Sequence, residues 1–154
     1  DVYKRQIRFR ENDVRAMGRT ACGVRGIRLS ADQKVIALII VDQGYVLTAT
    51  GNGYGKRTRI EDYPVHGRGG QGVISIQITE RNGAVVGSVL VRDEDEIMLI
   101  SNAGTLVRTR VSEISSLGRN TQGVRLINVQ NGEKLVGLER IEEEQDESSS
   151  GEQE

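Results

Sequence analysis

The sequence predicts an all-β protein of propeller type, assembled from units of about 50 residues with about four strands each and forming a partial ring. Three observations carry this expectation. The chain repeats itself at a fixed interval, its apolar residues alternate with period two, and glycine-marked turns separate the alternating runs.

The repeat sets the unit. Gly18-Arg19 leads to Gly23-Val24-Arg25-Gly26-Ile27, Gly67-Arg68 to Gly72-Val73-Ile74-Ser75-Ile76, and Gly118-Arg119 to Gly123-Val124-Arg125-Leu126-Ile127, at intervals of 49 and 51 residues. Upstream of each leading glycine stand Arg8-Phe9-Arg10, Arg57-Thr58-Arg59 and Arg108-Thr109-Arg110. Downstream, Lys34-Val35-Ile36, Ala84-Val85-Val86 and Lys134-Leu135-Val136 recur at intervals of 50. Two nearly complete repeats, roughly 34–79 and 84–129, have partial ones on either side, which points to a piece of a longer ring.

Within a unit the alternation favours strands. Ile74-Ser75-Ile76-Gln77-Ile78-Thr79 places isoleucines on one face and polar residues on the other, as a half-buried strand requires. Gly51-Asn52-Gly53 separates the runs 45–50 and 54–60, and Asn102-Ala103-Gly104 separates 97–100 and 105–111; both read as hairpins. Asn82-Gly83 is a further turn signal. No window carries a helical stripe of useful length. The position aligned with Gly53 and Gly104 is Lys4, and residues 1–6 are read as lying outside the repeat.

Composition agrees with many tight turns. Nineteen glycines stand beside one proline, and aromatic residues are only 3% of the chain, so a core must come from Val, Ile and Leu. No apolar run approaches the about 20 residues of a membrane-spanning helix, and no signal-peptide pattern opens the chain. Cys22 has no second cysteine to pair with and reads as a small packed residue, and a protein-only zinc site is excluded.

The net charge of −1 conceals a segregation. Residues 142–154 hold seven acids and no base, which leaves 21 bases against 15 acids in residues 1–141. A basic folded body followed by a disordered acidic tail fits a polyanion-binding module. Tethered beside a body of opposite sign, the tail is expected to compete with a polyanion for the basic surface.

The arginines are the sharpest candidate site. Residues i and i+2 of a strand project from one face about 7 Å apart, so each Arg-x-Arg is expected to present two guanidinium groups side by side. Guanidinium is permanently charged and bonds phosphate oxygens in pairs. One such pair would read as solvated surface charge, or as partners of Glu61, Asp62 and Glu113. Threefold recurrence at blade spacing reads as a phosphate track. Its members are Arg8, Arg10, Arg57, Arg59, Arg108 and Arg110 on strands, Arg19, Arg68 and Arg119 in the glycine-led loops, and Lys56 beside the central pair.

Enzyme motifs fail on inspection. Gly51 to Thr58 contains Gly55-Lys56, but Thr50 stands where a phosphate-binding P-loop needs glycine and Arg57 where it needs Ser or Thr. His66 has no nucleophile partner by motif, and the run Asp93-Glu94-Asp95-Glu96 lacks the spacing of a calcium loop. Four tyrosines are too few for a base-stacking platform.

Several blocks in fixed order, Ala16-Met17-Gly18 with Gly23-Val24-Arg25-Gly26-Ile27, then Asn52 to Thr58, Thr79 to Gly83, Gly104 to Arg110 and Gly118 to Val124, resemble the last blades of the C-terminal domain of the DNA gyrase A subunit. The resemblance runs from about Ile7 to Ile141. It implies a β-pinwheel, here divided into repeats at about 7–33, 34–83, 84–133 and 134–141, with the tail at 142–154. It further implies that the basic rim wraps double-stranded DNA for a type IIA topoisomerase that negatively supercoils using ATP. On that implication the catalytic tyrosine is elsewhere, so that none of Tyr3, Tyr45, Tyr54 or Tyr63 holds that role, and ATP and Mg bind elsewhere in the complete enzyme. The implied partners are the rest of the gyrase A subunit, together with the gyrase B subunit in an A2B2 complex, in the cytoplasm on the chromosome and away from any membrane. The alternatives are a propeller scaffold that binds proteins and the equivalent domain of the topoisomerase IV A subunit.

Overall fold

The computed structural model describes residues 3–141. The acidic tail lies outside the described residues. Among the described residues, nine strands account for the regular structure: β1 (Tyr3–Gln6), β2 (Tyr45–Thr50), β3 (Tyr54–Arg59), β4 (Val73–Gln77), β5 (Val85–Val91), β6 (Glu96–Ser101), β7 (Leu106–Arg110), β8 (Val124–Arg125) and β9 (Leu135–Ile141). Short 3-10 turns at Glu11–Asp13, Ile60–Asp62 and Val111–Glu113 follow the arginine pairs. The all-β expectation holds, and both glycine-marked hairpins form, β2 with β3 and β6 with β7.

The strands do not group as they follow one another. The central sheet runs β5-β2-β3-β8, so its four strands come from residues 45–59, 85–91 and 124–125. The second full hairpin repeats the plan as β7-β6-β9, and Tyr3–Gln6, expected to lie outside the repeat, instead forms β1 and receives β4 as β3 receives β8. Each unit therefore keeps its hairpin and its last strand, and gives its third strand to the hairpin of the unit before. The turn at Asn82-Gly83 forms, with Gly83 at φ +73° and its amide on Thr79 O at 2.9 Å, but β4 and β5 on its two sides belong to different sheets. The central sheet thus joins 45–59 and 85–91 with a guest strand, 124–125, from the next unit.

This exchange demands close backbone approach at fixed places. Gly72 and Gly123 stand just before the exchanged strands β4 and β8, both with positive φ, at +69° and +82°. A side chain at either would strike the receiving hairpin, its Cβ 2.4 Å from Gln6 O or 2.5 Å from Gly55 O. Only glycine accepts that conformation and that distance together.

The core is aliphatic, as so few aromatics require. Leu47, Ala49, Val91, Ile97, Leu99 and Val111 are fully buried in one cluster that spans the β2 and β6 hairpins. A smaller cluster gathers Val46, Ile60 and Tyr63. β4 departs from the half-buried alternation expected of it, because Ser75 and Ile76 are both buried. Tyr63 covers the second face, and its hydroxyl lies 3.0 Å from Ser75 Oγ. Residues 35–41, aligned with β5 and β9, form no strand, and Leu38 and Ile40 are about nine-tenths exposed. Among the described residues no helix is long and apolar enough to cross a membrane.

Candidate nucleic-acid interface

The arginine pairs sit at corresponding positions just before a 3-10 turn, Arg57 with Arg59 and Arg108 with Arg110 at the end of a hairpin's second strand and Arg8 with Arg10 beyond the end of β1 at Gln6. Arg10, Arg59 and Arg110 are each the residue immediately before that turn, with ψ at 143°, 142° and 136°. A strand that ends there no longer holds residues i and i+2 in one environment. The two members of a pair consequently part company.

The first member is drawn into the next unit. Arg8 Nη1 donates to Ile60 O at 2.9 Å and Tyr63 O at 3.2 Å, across more than fifty residues. Arg57 repeats the contact one unit later, with Nε 2.6 Å from Ile114 O. Its guanidinium also lies over the Tyr45 ring, 4.5 Å from the centroid, and is ion-paired to Asp93, so that its side chain is only 11% exposed. The carbonyls that receive these guanidiniums are that of Ile60, which opens its 3-10 turn and also accepts from Tyr63 N at 3.1 Å, and those of Tyr63 and Ile114, the residues that follow the turns. Arg8 and Arg57 therefore act as staples between units. Arg108, third in the series, is exposed and ion-paired to Glu96.

The second member stays in solvent. Arg10, Arg59 and Arg110 are exposed, and among the described residues their side chains make no hydrogen bond or ion pair. The expectation of two adjacent guanidiniums per blade is thus corrected to one free guanidinium per unit. Among the described residues the carboxylates that engage the pairs are Asp93 and Glu96, and Glu61, Asp62 and Glu113 take no part.

The loop arginines divide as well. Arg19 is exposed and has no partner among the described residues. Arg68, though exposed, donates to Asp13 O and Arg25 O, both at 2.9 Å. Arg119 is half-buried, with Nη1 3.0 Å from Ile74 O on β4.

Lys56 requires the plainest correction. It is 1% exposed and cannot meet a phosphate. Its Nζ donates to Gly118 O at 2.6 Å, to Arg119 O, and to Thr121 Oγ1 at 3.0 Å, while its neighbour Thr58 donates to Leu117 O at 2.8 Å. With Leu117 N on Arg57 O at 2.9 Å, these bonds make a continuous seam between β3 and the loop 114–121 of the next unit. Burial, helped by the nearby charge of Arg119, pushes the Lys56 ammonium down to about 8.

Two further arginines were not singled out from sequence. Arg81 and Arg125 lie over the Tyr54 ring at 4.9 and 5.3 Å, and Arg125 Nη2 is 2.8 Å from the hydroxyl. The Arg81 hydrogen bond first, then that of Arg125, holds the Tyr54 phenol below its usual range. Neither belongs to an Arg-x-Arg pair, and Arg125, though inside a repeated block, has Ile74 at the matching position of the middle unit, so threefold recurrence did not mark them. His66 is exposed, with its backbone amide 2.8 Å from Arg8 O. Tyr45, Tyr54 and Tyr63 are all engaged in packing.

Comparison with known proteins places this arrangement. The family described as "DNA gyrase C-terminal domain, beta-propeller" matches residues 7–42, 44–92 and 95–142. The chain is 62% identical over 138 residues to the DNA gyrase A subunit of Salmonella typhimurium, covering 89% of this chain and 16% of that protein. It is 59% identical over 142 residues to the Escherichia coli protein of the same name, covering 92% of this chain and again 16% of the relative. A solved DNA gyrase A C-terminal domain superposes with a TM-score of 0.78 at 29% identity, over 86% of this chain and 45% of that one. A topoisomerase IV C-terminal domain reaches the same TM-score at 22% identity, over 87% and 42%, and shares the fold.

Proposed function

The chain belongs to the DNA gyrase A C-terminal β-propeller family, and from that premise we propose that it is a DNA-binding and DNA-wrapping part of a gyrase A subunit. The observation that carries the reading is the row of Arg10, Arg59 and Arg110. Each stands at the same corner of consecutive units, exposed and without a side-chain partner among the described residues. A guanidinium that the fold holds in place but leaves unsatisfied is suited to phosphate oxygens. Recurrence at unit spacing suits a backbone that passes from one unit to the next, and phosphate contacts carry no sequence information. Arg19 and Arg68 extend the exposed set. The stapled Arg8, Arg57 and Arg119, with Lys56, hold the units in register instead.

The chain spans about a sixth of the length of the gyrase A relatives it matches. Strand passage, ATP hydrolysis with Mg, and assembly with the rest of the A subunit, as with the B subunit in an A2B2 complex, would be supplied outside it. In this reading the chain itself holds no catalytic residue, and it works in the cytoplasm on the bacterial chromosome. Identity favours the gyrase reading over topoisomerase IV, 29% against 22% among the solved domains.

The test is ligation of nicked circular DNA with and without the protein. Wrapping shifts the linking number of the sealed product, whereas binding without wrapping leaves it unchanged and would overturn the reading. Duplex affinity measured over a salt series isolates the arginines. Replacing Arg10, Arg59 and Arg110 by Ala should flatten the slope of log K against log salt by about 0.9 for each phosphate no longer neutralised, equally for any duplex sequence.

A further inference from the structure

We infer that Asn131-Gly132 is a site of spontaneous covalent modification, where attack by the Gly132 backbone nitrogen expels the Asn131 carboxamide nitrogen as ammonia and water then leaves aspartate or isoaspartate. The chain has three Asn-Gly pairs, Asn52-Gly53, Asn82-Gly83 and Asn131-Gly132. In each the glycine has no side chain to shield its nitrogen. The fold distinguishes the three by what holds the two reacting groups.

In the first two pairs both groups are engaged. Asn52 Nδ2 donates to Glu80 O at 2.9 Å and to Arg81 O at 3.2 Å, and its Oδ1 accepts from Lys134 Nζ at 2.5 Å. Asn82 is fully buried, with Nδ2 donating to Gln77 O at 2.7 Å and Gln122 O at 3.0 Å and Oδ1 accepting from Thr79 N at 2.8 Å. The nitrogens are tied as well, Gly53 N to Thr50 O at 3.0 Å and Gly83 N to Thr79 O at 2.9 Å. Attack requires the carboxamide to swing over the next peptide and the nitrogen to give up its proton, so either pair must first break several hydrogen bonds together. Asn131 is exposed, and among the described residues neither its carboxamide nor Gly132 N makes a hydrogen bond.

This exposure belongs to the turn. Ser30–Gln33, Thr79–Asn82 and Gln130–Glu133 are equivalent, each with its fourth side chain accepting from its first backbone N–H, at 3.0, 2.8 and 2.9 Å. In the middle unit, which has a neighbour on both sides, the tip residues Glu80 and Arg81 are exposed, as Ala31 and Asp32 are in the first. The tip therefore faces solvent wherever a unit stands in the ring.

The chemistry needs water alone. A base in solution takes the proton of Gly132 N, the nitrogen bonds to Asn131 Cγ, and the Cγ–Nδ2 bond breaks to release ammonia and close a succinimide ring. Water adding at Cγ opens it to aspartate, and water adding at the Asn131 backbone carbonyl opens it to isoaspartate, whose main chain is one carbon longer. Either product sets a second carboxylate beside Glu133. Isoaspartate also lengthens the turn that aims Glu133 at Ser101 and Thr105.

The experiment incubates the whole chain without DNA, folded and in urea, and follows each asparagine by peptide mass mapping. In the folded chain the Asn131 peptide should gain about one dalton at least about tenfold faster than the Asn52 and Asn82 peptides, and faster at pH 9 than at pH 7. In urea the three rates should agree within about threefold, because the sequence motif is the same. Asn131→Gln, at a position where the other units hold Ala31 and Glu80, should abolish most of the ammonia released by the folded chain. Conversion of Asn52 or Asn82 as fast as that of Asn131 in the folded chain overturns the inference. So does an Asn131 preference that persists undiminished in urea, which would assign it to neighbouring residues in sequence, or unchanged ammonia release from the Gln variant.

Discussion

Replacing Lys56 by Met separates a structural lysine from a DNA-binding one, and the structure sets the size of the effect. The ammonium loses three acceptors, Gly118 O, Arg119 O and Thr121 Oγ1. None is left bare, because Thr121 donates from Oγ1 to Gly118 O at 3.1 Å and from its backbone amide to Arg119 O at 3.0 Å. The loss is therefore that of charge-assisted bonds, with no orphaned partner, and it is offset by removing a desolvated charge. A net destabilisation of about 1–3 kcal/mol at pH 7 is expected. Its pH dependence has a definite sign. Lys56 titrates near 8 in the folded chain and near 10.5 when unfolded, so between those values the unfolded chain binds more protons and stability rises with pH. The unmodified chain should gain about 1.4 kcal/mol per pH unit over the Met variant in that window, to a limit of about 3 kcal/mol. Urea unfolding of both proteins at pH 7, 8, 9 and 10 reads this directly. A stability gap that stays flat or narrows as pH rises would show that Lys56 is not a desolvated seam residue.

Three other outcomes follow from the same geometry. Arg57→Ala should lower unfolding stability by about 1–3 kcal/mol by removing the bonds to Ile114 O and Asp93, while Arg59→Ala should stay within about 0.5 kcal/mol and weaken DNA binding instead; paired urea melts and duplex titrations distinguish them, and equal stability losses would refute the division of the pair. Asn82 is fully buried, donates to Gln77 O and Gln122 O, and accepts from Thr79 N and Oγ1. Asn82→Ala should cost about 2–4 kcal/mol by urea midpoint, and a cost below about 1 kcal/mol would mean that the network relaxes around the gap. Truncation after Ile141 removes seven acids and should raise duplex affinity at low salt with the difference shrinking as salt rises, whereas equal affinities at low salt would exclude competition by the tail.

The sequence by itself determined the all-β class, the unit of about 50 residues, the two glycine-marked hairpins and the family. These are local or periodic properties: alternation reports one half-buried face, a glycine reports the turn it permits, and repetition reports itself. Only the tertiary structure decided which strands share a sheet. Nothing in Val73–Gln77 or Val124–Arg125 states that each leaves its own unit for the hairpin before it, because that choice is made by backbone partners some seventy residues away. The same distance governed the site. Arg57 and Arg59 are indistinguishable as letters, and Lys56 looks as available as either. Whether a cation meets solvent or a row of carbonyl oxygens depends on how the 114–121 loop of the next unit lies against β3. Hydrogen bonds to a backbone brought in by folding bind Arg8 and Arg57 and leave Arg10 and Arg59 in solvent, and no pattern read along the chain contains that contact.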